Sequence, residues 1–475
     1  LPPGKPPASL IDAPIGLTLL RLSVPIILAN VLQTAYAMTD TFWVGRLNPE
    51  SVAAVALSFP INFLMIAVAG GLPIAGTVLI AQFRGRNDES AMNHVAAQTM
   101  IMSFLFSLVI SIPGYFLSEP IMRFMGATPE VLPIATDFMR WTFLGFIFVF
   151  GFFAFQSLMR GLAVVYMPMF IVALTVVLNF ILDPLFMYGW LGFGPTGAAG
   201  TAFATMCTQA IATAIGIAVL LRGRYGIHLY PRDFKPDFSF IRRVFWLGMP
   251  ASVEQSTRAV GMTVVTQLVA SFGTVAVAAY GTGMRVLLCV MIPAMGLSMA
   301  TSAMVGQYMG AGRVDRAERT TLIGCLLAFF GLLVPGAVLF VAARPFCEFF
   351  VPQGGEVIDQ AAVFIRITAF TFGLVGLQQV LTGTFRGAGD TVAPMVLAIV
   401  SLWVLQFPLA YVLSKQTRLG LEGIWWAFAL ANIIAAAITV MWYVRGDWKR
   451  KRLLEEVKLE QQVREEAQIE EGSRF

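Results

Sequence analysis

The stretch "AQFRG" at residues 81–85 returns 225 residues later as "GQYMG" at 306–310. The same shift lays Pro25 on Pro250, Ala53-Ala54 on Ala278-Ala279 and Gly71-Leu72 on Gly296-Leu297. A shift of 226 lays "RGLAVVYMPM" (160–169) on "RGAGDTVAPM" (386–395). The chain is an internal duplication, and the nature of the repeated unit decides the fold.

Composition identifies that unit. Of 475 residues, 57% are hydrophobic and only 12% charged, whereas soluble domains carry about 25% charged residues. Apolar stretches recur from Leu17 to Val444, each long enough to cross a hydrocarbon core about 30 Å thick. About twelve such spans are expected, at 15–45, 51–83, 92–117, 131–158, 163–188, 197–221, 243–270, 275–308, 317–343, 357–384, 391–413 and 421–445. An even number of spans separates equivalent positions, so the two halves share one topology. The expected fold is an all-α polytopic membrane protein with 12 transmembrane helices in two pseudo-symmetric six-helix bundles, an architecture suited to alternating access. The expected division is an N-terminal tail at 1–14, a first lobe at 15–222, an inter-lobe loop at 223–242, a second lobe at 243–446 and a charged tail at 447–475.

Charge sets the expected orientation. Connections after even-numbered spans hold Arg84, Arg86, Arg160, Arg222, Arg224, Arg232, Lys235, Arg242, Arg243, Arg313, Arg316, Arg319 and Arg386. Those after odd-numbered spans hold Arg46, Arg123, Arg344, Lys415 and Arg418. The excess puts both termini in the cytoplasm of a cell (plasma or inner) membrane. The net charge of +5 is thus spread over short loops, which argues against nucleic acid as a partner. Cys207, Cys289, Cys325 and Cys347 lie scattered in apolar segments without metal-ligand spacing. His94 and His228 fall in polar connections, and no nucleophile has an obvious base, so an enzyme is not expected. No cofactor is expected either.

Ionisable groups inside spans are costly and carry the functional reading. Asp40 precedes the turn at Asn48 by eight residues, and Asp183 precedes the turn at Trp190 by seven. Both spans run outward, so both carboxylates lie about 10–12 Å below the outer loop ends. Asn179 shares the Asp183 face one turn deeper, and Thr201 enters at a comparable level from span 6. These four residues form one expected oxygen-lined site. The duplication supplies a control: position 40 maps to Val265, and span 11 reads "WVLQFP" where span 5 reads "NFILDP". The alternative is that each Asp caps a helix at a wetted interface. Two carboxylates in a partly dehydrated cavity do not easily both stay ionised; the pair suits a proton, a hard cation on Asp, Asn and Thr oxygens, or an organic cation. Mutually exclusive occupancy is the core of antiport.

Glu254 lies eleven residues past Arg243, with Arg258 one turn on and Arg285 at similar depth. It reads either as half of a structural ion pair within the second lobe or as a second coupling group. The Phe-rich run "FLGFIFVFGFFAFQSLM" in span 4 is either cavity lining or packed surface, with Gln156 pointing inward. The C-terminal tail begins basic and turns acidic, as a solvated helix or one whose start touches anionic lipid.

The chain resembles the multidrug and toxic compound extrusion (MATE) transporters. The resemblance runs from about Leu17 to Val444 and rests on "TDTFWVGRL" in span 1, "LNFILDP" in span 5, "GAAGTAFAT" in span 6, "GMPASVEQ" in span 7, "MIPAMGLSMATSAMVGQYMGAG" in span 8 and "GTFRGAGDTVAPM" between spans 10 and 11. It implies two six-helix bundles that export small-molecule organic cations against inward H⁺ or Na⁺, functioning as a monomer in the bilayer. The pattern looks like the DinF-type branch, whose coupling acids lie in the N-terminal lobe. Carried over by motif, Asp40 and Asp183 are the coupling carboxylates, assisted by Asn179 and Thr201, and these four are the metal ligands if the ion is Na⁺. Gln33 and Tyr36 line the drug cavity, and Pro25 is either a hinge in span 1 or a static kink. Span 10, "FGLVGLQQVLTGTF", has no acid, unlike the NorM-type branch. A lipid-linked precursor flippase of the same superfamily is the alternative, but flippases show extra spans and a cationic central cavity.

Overall fold

The structure is a computed structural model and describes residues 13–190, 196–351 and 355–451. The described residues are almost wholly helical. The first half contains α1 (Ile15–Val44), α2 (Pro49–Gly85), α3 (Glu89–Phe124), α4 (Leu132–Gly161), α5 (Tyr166–Met187) and α6 (Ala198–Leu221). The second contains α7 (Phe238–Ala270), α8 (Thr274–Gly310), α9 (Val314–Val341), α10 (Ala343–Phe350), α11 (Gly355–Ala369), α12 (Phe372–Ala388), α13 (Val392–Ile399), α14 (Phe407–Lys415) and α15 (Leu421–Arg445). Among the described residues, ten helical segments are long and apolar enough to cross a membrane, α13 to α14 counting as one, and α11 with α12 forms an eleventh bent by 56°. The 33 residues of α7 make the twelfth by length, its hydropathy held down by Glu254, Gln255 and Arg258.

Side-chain chemistry explains where helices begin and break. Asn48 accepts from Ser51 N–H at 2.9 Å and starts α2, with Pro49 in the first turn where its missing N–H costs nothing. Asp88 and Asp237 do the same for α3 and α7. At the break between α11 and α12, Thr371 Oγ1 donates to the Thr368 carbonyl at 2.7 Å and accepts from Asn432 Nδ2 at 3.3 Å, which satisfies the disturbed turn. Pro408 has no N–H for the ladder, and the segment before it, Val400–Gln406, is wound as a π-helix. Large apolar side chains face outward all round the bundle, among them Phe116 at 74% and Val341 at 80% exposure. Such a surface belongs in lipid.

The inter-lobe segment is a docked strap. Gln98 Nε2 donates to the Asp233 and Lys235 carbonyls at 3.1 and 2.8 Å, and its Oε1 accepts from Asp237 N–H at 3.0 Å. Asn93 accepts from His228 N–H at 2.8 Å. His94, expected in a connection, sits in the second turn of α3, with Nε2 3.6 Å from Asp237. Burial alone would raise the Asp237 carboxyl, but hydrogen bonds from Ser239 and Phe240, with His94 nearby, hold it below the usual carboxylate range.

The halves meet along a seam made from the repeated residues. A Cβ on Gly71 would lie 2.1 Å from Ser252 N, and one on Gly296 would lie 2.3 Å from Ile27 Cγ1. Farther along, Gly85 and Gly310 let α2 and α8 cross in near backbone contact, with a Cβ 2.0 Å from the Gln307 carbonyl and 1.9 Å from the Gln82 carbonyl respectively. Gln82 Nε2 donates to the Gly387 carbonyl at 3.1 Å, and Gln307 Nε2 to the Gly161 carbonyl at 2.9 Å. The two bonds are pseudo-symmetry mates. Apolar clusters at this end cross the seam: Leu79 and Phe83 pack with Phe240 and Val244, and Leu22 and Ile26 with Leu297 and Met304. Clusters at the other end stay within one half, one around Phe138 and Phe146 and another around Phe364 and Trp425. The molecule is sealed at the end bearing the arginine-rich loops and divided at the other.

Candidate functional site

Asp183 is fully buried on α5, and so is Asn179 one turn before it. The i, i+4 spacing lets Asn179 Nδ2 donate to Asp183 Oδ1 at 2.9 Å. Asp40 of α1 stands within interaction range of Asp183 and Asn179, with Thr205 of α6 beside it. The two acids expected at one depth therefore also share one face. Asp40 Oδ1, Asp183 Oδ2, Asn179 Oδ1 and Thr205 Oγ1 are all enclosed and without a hydrogen-bond partner. Three of these atoms are pure acceptors, and only the threonine hydroxyl can donate. Such a cluster suits a shared proton or a hard cation. Beside it, Trp43 of α1 packs on Phe180 of α5 at 5.5 Å between ring centroids, which ties the two helices together, and Arg46 lies 4.1 Å over the Phe42 ring at the end of its own helix.

Thr201, expected in this site, is buried one turn nearer the start of α6 and donates its hydroxyl to the Ala198 carbonyl at 2.9 Å. Thr205 is the threonine of α6 that interacts with Asp40. The signal that finds it is the same depth arithmetic: Thr205 is the eighth residue of α6, as Asp40 lies eight residues before Asn48. Tyr36 is 6% exposed, and its hydroxyl is committed to Thr208 Oγ1 at 2.6 Å. It braces α1 against α6 beside the acids. Gln33 and Gln156 line a separate small pocket together with Asn30 and Arg160, and Gln156 Oε1 accepts from Arg160 at 3.4 Å. The phenylalanines of α4 mostly pack inward, with Phe143, Phe146, Phe150, Phe152 and Phe155 all buried.

Glu254 is 1% exposed, and both its oxygens accept from Arg386 Nη2, at 2.7 Å each, while Arg258 adds a contact at 3.2 Å. It is an ion pair tying α7 to α12. Arg285, expected as a partner by depth, is exposed on another face of α8. Val265 is buried in the apolar cluster of the second half, so the acid pair is confined to the first.

Two six-span bundles, sealed at one end, with a buried acid cluster inside one of them, make up the duplicated architecture of a membrane transporter. A family model described as MatE matches residues 25–185 and 250–412. The chain belongs to the MatE family. It is 29% identical to "Probable multidrug resistance protein YoeA" of Bacillus subtilis over 90% of this chain and 93% of the relative. It is likewise 29% identical to "Probable multidrug resistance protein NorM" of Rhizobium meliloti, over 89% and 91%. A solved structure described as the outward-facing conformation of a multidrug resistance MATE family transporter of the MOP superfamily aligns with TM-score 0.87 at 26% identity, covering 94% of this chain and all of that one.

Proposed function

We propose that this protein is a secondary active antiporter that exports organic cations in exchange for H⁺ or Na⁺, coupled through Asp40 and Asp183. The observation that carries the reading is the set of four buried, unpartnered oxygens on Asp40, Asn179, Asp183 and Thr205, in one half only. A coupling ion entering that set competes with the charge of the exported cation, so each displaces the other. If Na⁺ is the ion, the carboxylate, amide and hydroxyl oxygens supply the hard ligands it needs. The multidrug names of the relatives point the same way. The arginine-rich loops lie at the sealed end, so by the positive-inside rule that end and both termini face the cytoplasm, and the divided end faces outward. Gln33 and Gln156 line the substrate side of the first lobe, and the chain works as a monomer in the cell membrane. Lobes at 15–222 and 243–446 rock against each other about the glycine seam.

The test is efflux of a fluorescent organic cation from proteoliposomes under a pH gradient alone or a Na⁺ gradient alone. Wild type responds to one of them, and Asp40→Asn and Asp183→Asn each lose at least about tenfold in gradient-driven rate. Full gradient-driven efflux in both variants overturns the assignment.

Pro25 gives a second expectation. It lies inside a continuous α1 and cannot donate to the Arg21 carbonyl, about 22 Å along the axis from Asp40. If the helix bends there during exchange, Pro25→Ala abolishes export while proton flux through the acids persists. Unchanged export would show that the proline is a static kink.

A further inference from the structure

The two halves make the same turn and furnish it differently. In the second half Gly389, with φ 93°, ends α12 and carries Asp390 and Thr391 onto α7. Thr391 Oγ1 donates to the Leu247 carbonyl at 2.8 Å. In the first half the counterpart of Gly389 is Ala163, with φ 60°, followed by Val164 and Val165. Val165 is buried in one apolar cluster with Leu22, the counterpart of Leu247. The first half closes this corner with hydrocarbon, and the second puts a carboxylate there.

Around that carboxylate lies a pocket of about 200 Å³, bordered by Trp246, Leu247, Asp390, Thr391, Val392 and Lys451. It has room for a group several times the size of a water molecule. Asp390 is nearly buried and Lys451 half exposed, so the negative charge lies deeper than the positive one. Their closest approach is 3.9 Å, too long for a hydrogen bond. Helix capping does not account for the acid. The bond it accepts from Ala393 N–H is 3.3 Å long, and α5, the counterpart of α13, starts without any side-chain cap.

The pocket stands at the level of lipid headgroups. The 33 residues of α7 extend about 50 Å, and a hydrocarbon core takes about 30 Å of that, which leaves about 10 Å at either end. Trp246 is the ninth residue of α7, about 12 Å along it, and is 61% exposed. An exposed indole at that depth is an interfacial anchor. Arg242, also exposed, sits one turn before Trp246 on the same face of the helix.

We propose that this pocket binds the headgroup of phosphatidylethanolamine. The primary ammonium of that lipid carries N–H donors for Asp390, and its phosphate, a short ethylene bridge away, meets Lys451 with Arg242 at the rim. A choline headgroup has no N–H to donate. A phosphatidylglycerol headgroup brings no cation to the carboxylate. The bound lipid joins α7, the turn before α13 and the segment after α15. The site stands whatever ion or drug the protein moves.

The test is native mass spectrometry of the full chain, delipidated in detergent and titrated with phosphatidylethanolamine, its monomethyl and dimethyl forms, phosphatidylcholine and phosphatidylglycerol, all with the same acyl chains. In wild type a single phosphatidylethanolamine binds at least about tenfold more tightly than phosphatidylcholine, the worth of a charged hydrogen bond. Along the methylation series the largest loss comes at the last step, which removes the final N–H. Asp390→Asn, which keeps an acceptor for Ala393 N–H, brings the ethanolamine-to-choline ratio to within about threefold of one. The series needs no variant, so it decides the matter even if Asp390→Asn fails to fold. Equal affinity for the ethanolamine and choline lipids, tighter binding of phosphatidylglycerol, or an unchanged ratio in folded Asp390→Asn overturns the proposal. So does binding of free O-phosphoethanolamine as tight as that of the lipid, since a soluble phosphate would then be the occupant.

Discussion

Gly85→Ala combined with Gly310→Ala opens the sealed end of the protein. Each added Cβ would lie within 2.0 Å of a backbone carbonyl on the facing helix, so rotamer changes cannot relieve the clash and the helices α2 and α8 must part. Overpacking of this kind costs about 1–3 kcal/mol per site. The penalty falls on the sealed arrangement alone, because in the separated one the two glycines no longer touch. A bias of about 3 kcal/mol moves a two-state equilibrium by roughly a hundredfold. Spin labels at Arg86→Cys and Ala311→Cys, in a background with the four native cysteines replaced, read the change as a longer and broader distance distribution. Export falls with it, since the sealed state is half of the cycle. Gly70→Ala is the control: Gly70 sits in the same helix with nothing within 4 Å of its added Cβ. An unchanged distance distribution in the double variant would rule out the glycine crossing as the seal.

Glu254→Ala is expected to be the most destabilising single substitution in the second half. It strands Arg386, which is 16% exposed and whose Nε already has no partner, and leaves Arg258 as the only group at the vacated site. Removing one member of a buried ion pair costs about 3–5 kcal/mol, because the remaining charge stays desolvated. For a chain of this size that is a fall in Tm of about 3–5 °C. Replacing both members, Glu254→Leu with Arg386→Met, restores most of the loss, since no charge is then left buried. Equal Tm values for Glu254→Ala and wild type would instead mark Glu254 as a group free to bind an ion.

Much of this was legible because duplication repeats whatever geometry forces. Gly71, Gly296, Gln82, Gln307, Gly161 and Gly387 stand out when the halves are superposed, and each proves to lie on the seam, where close backbone approach admits little else. The acid pair was legible through depth, since helical rise is constant and Asp40 and Asp183 count back equally from their turns. Depth carries no azimuth, however. It named Arg285 as a partner for Glu254, whereas Arg386, 132 residues away, occupies the facing side. It also placed Thr201 rather than Thr205 at the site, because the level was taken from the entry turn rather than counted to match Asp40. Tyr36 was assigned to the drug cavity by resemblance, and its hydroxyl is spent on Thr208. The extent of α7, from Phe238 rather than residue 243, reflects Asp237, whose capping bonds override the polar composition of "FSFIRR". The charged tail beyond residue 451 lies outside the described residues.

The seam's hydrogen bonds join neutral amides to carbonyls, and its crossings are glycine against backbone. These bonds and crossings themselves carry no charge for dissolved ions to screen. Changing ionic strength therefore acts on the gate only through the arginine-rich loops around it, and not through its own bonds. A rate that changes when NaCl is exchanged for KCl at constant ionic strength reports occupancy of the acid cluster, so the choice between sodium and proton can be read from exchange of one inorganic cation for another.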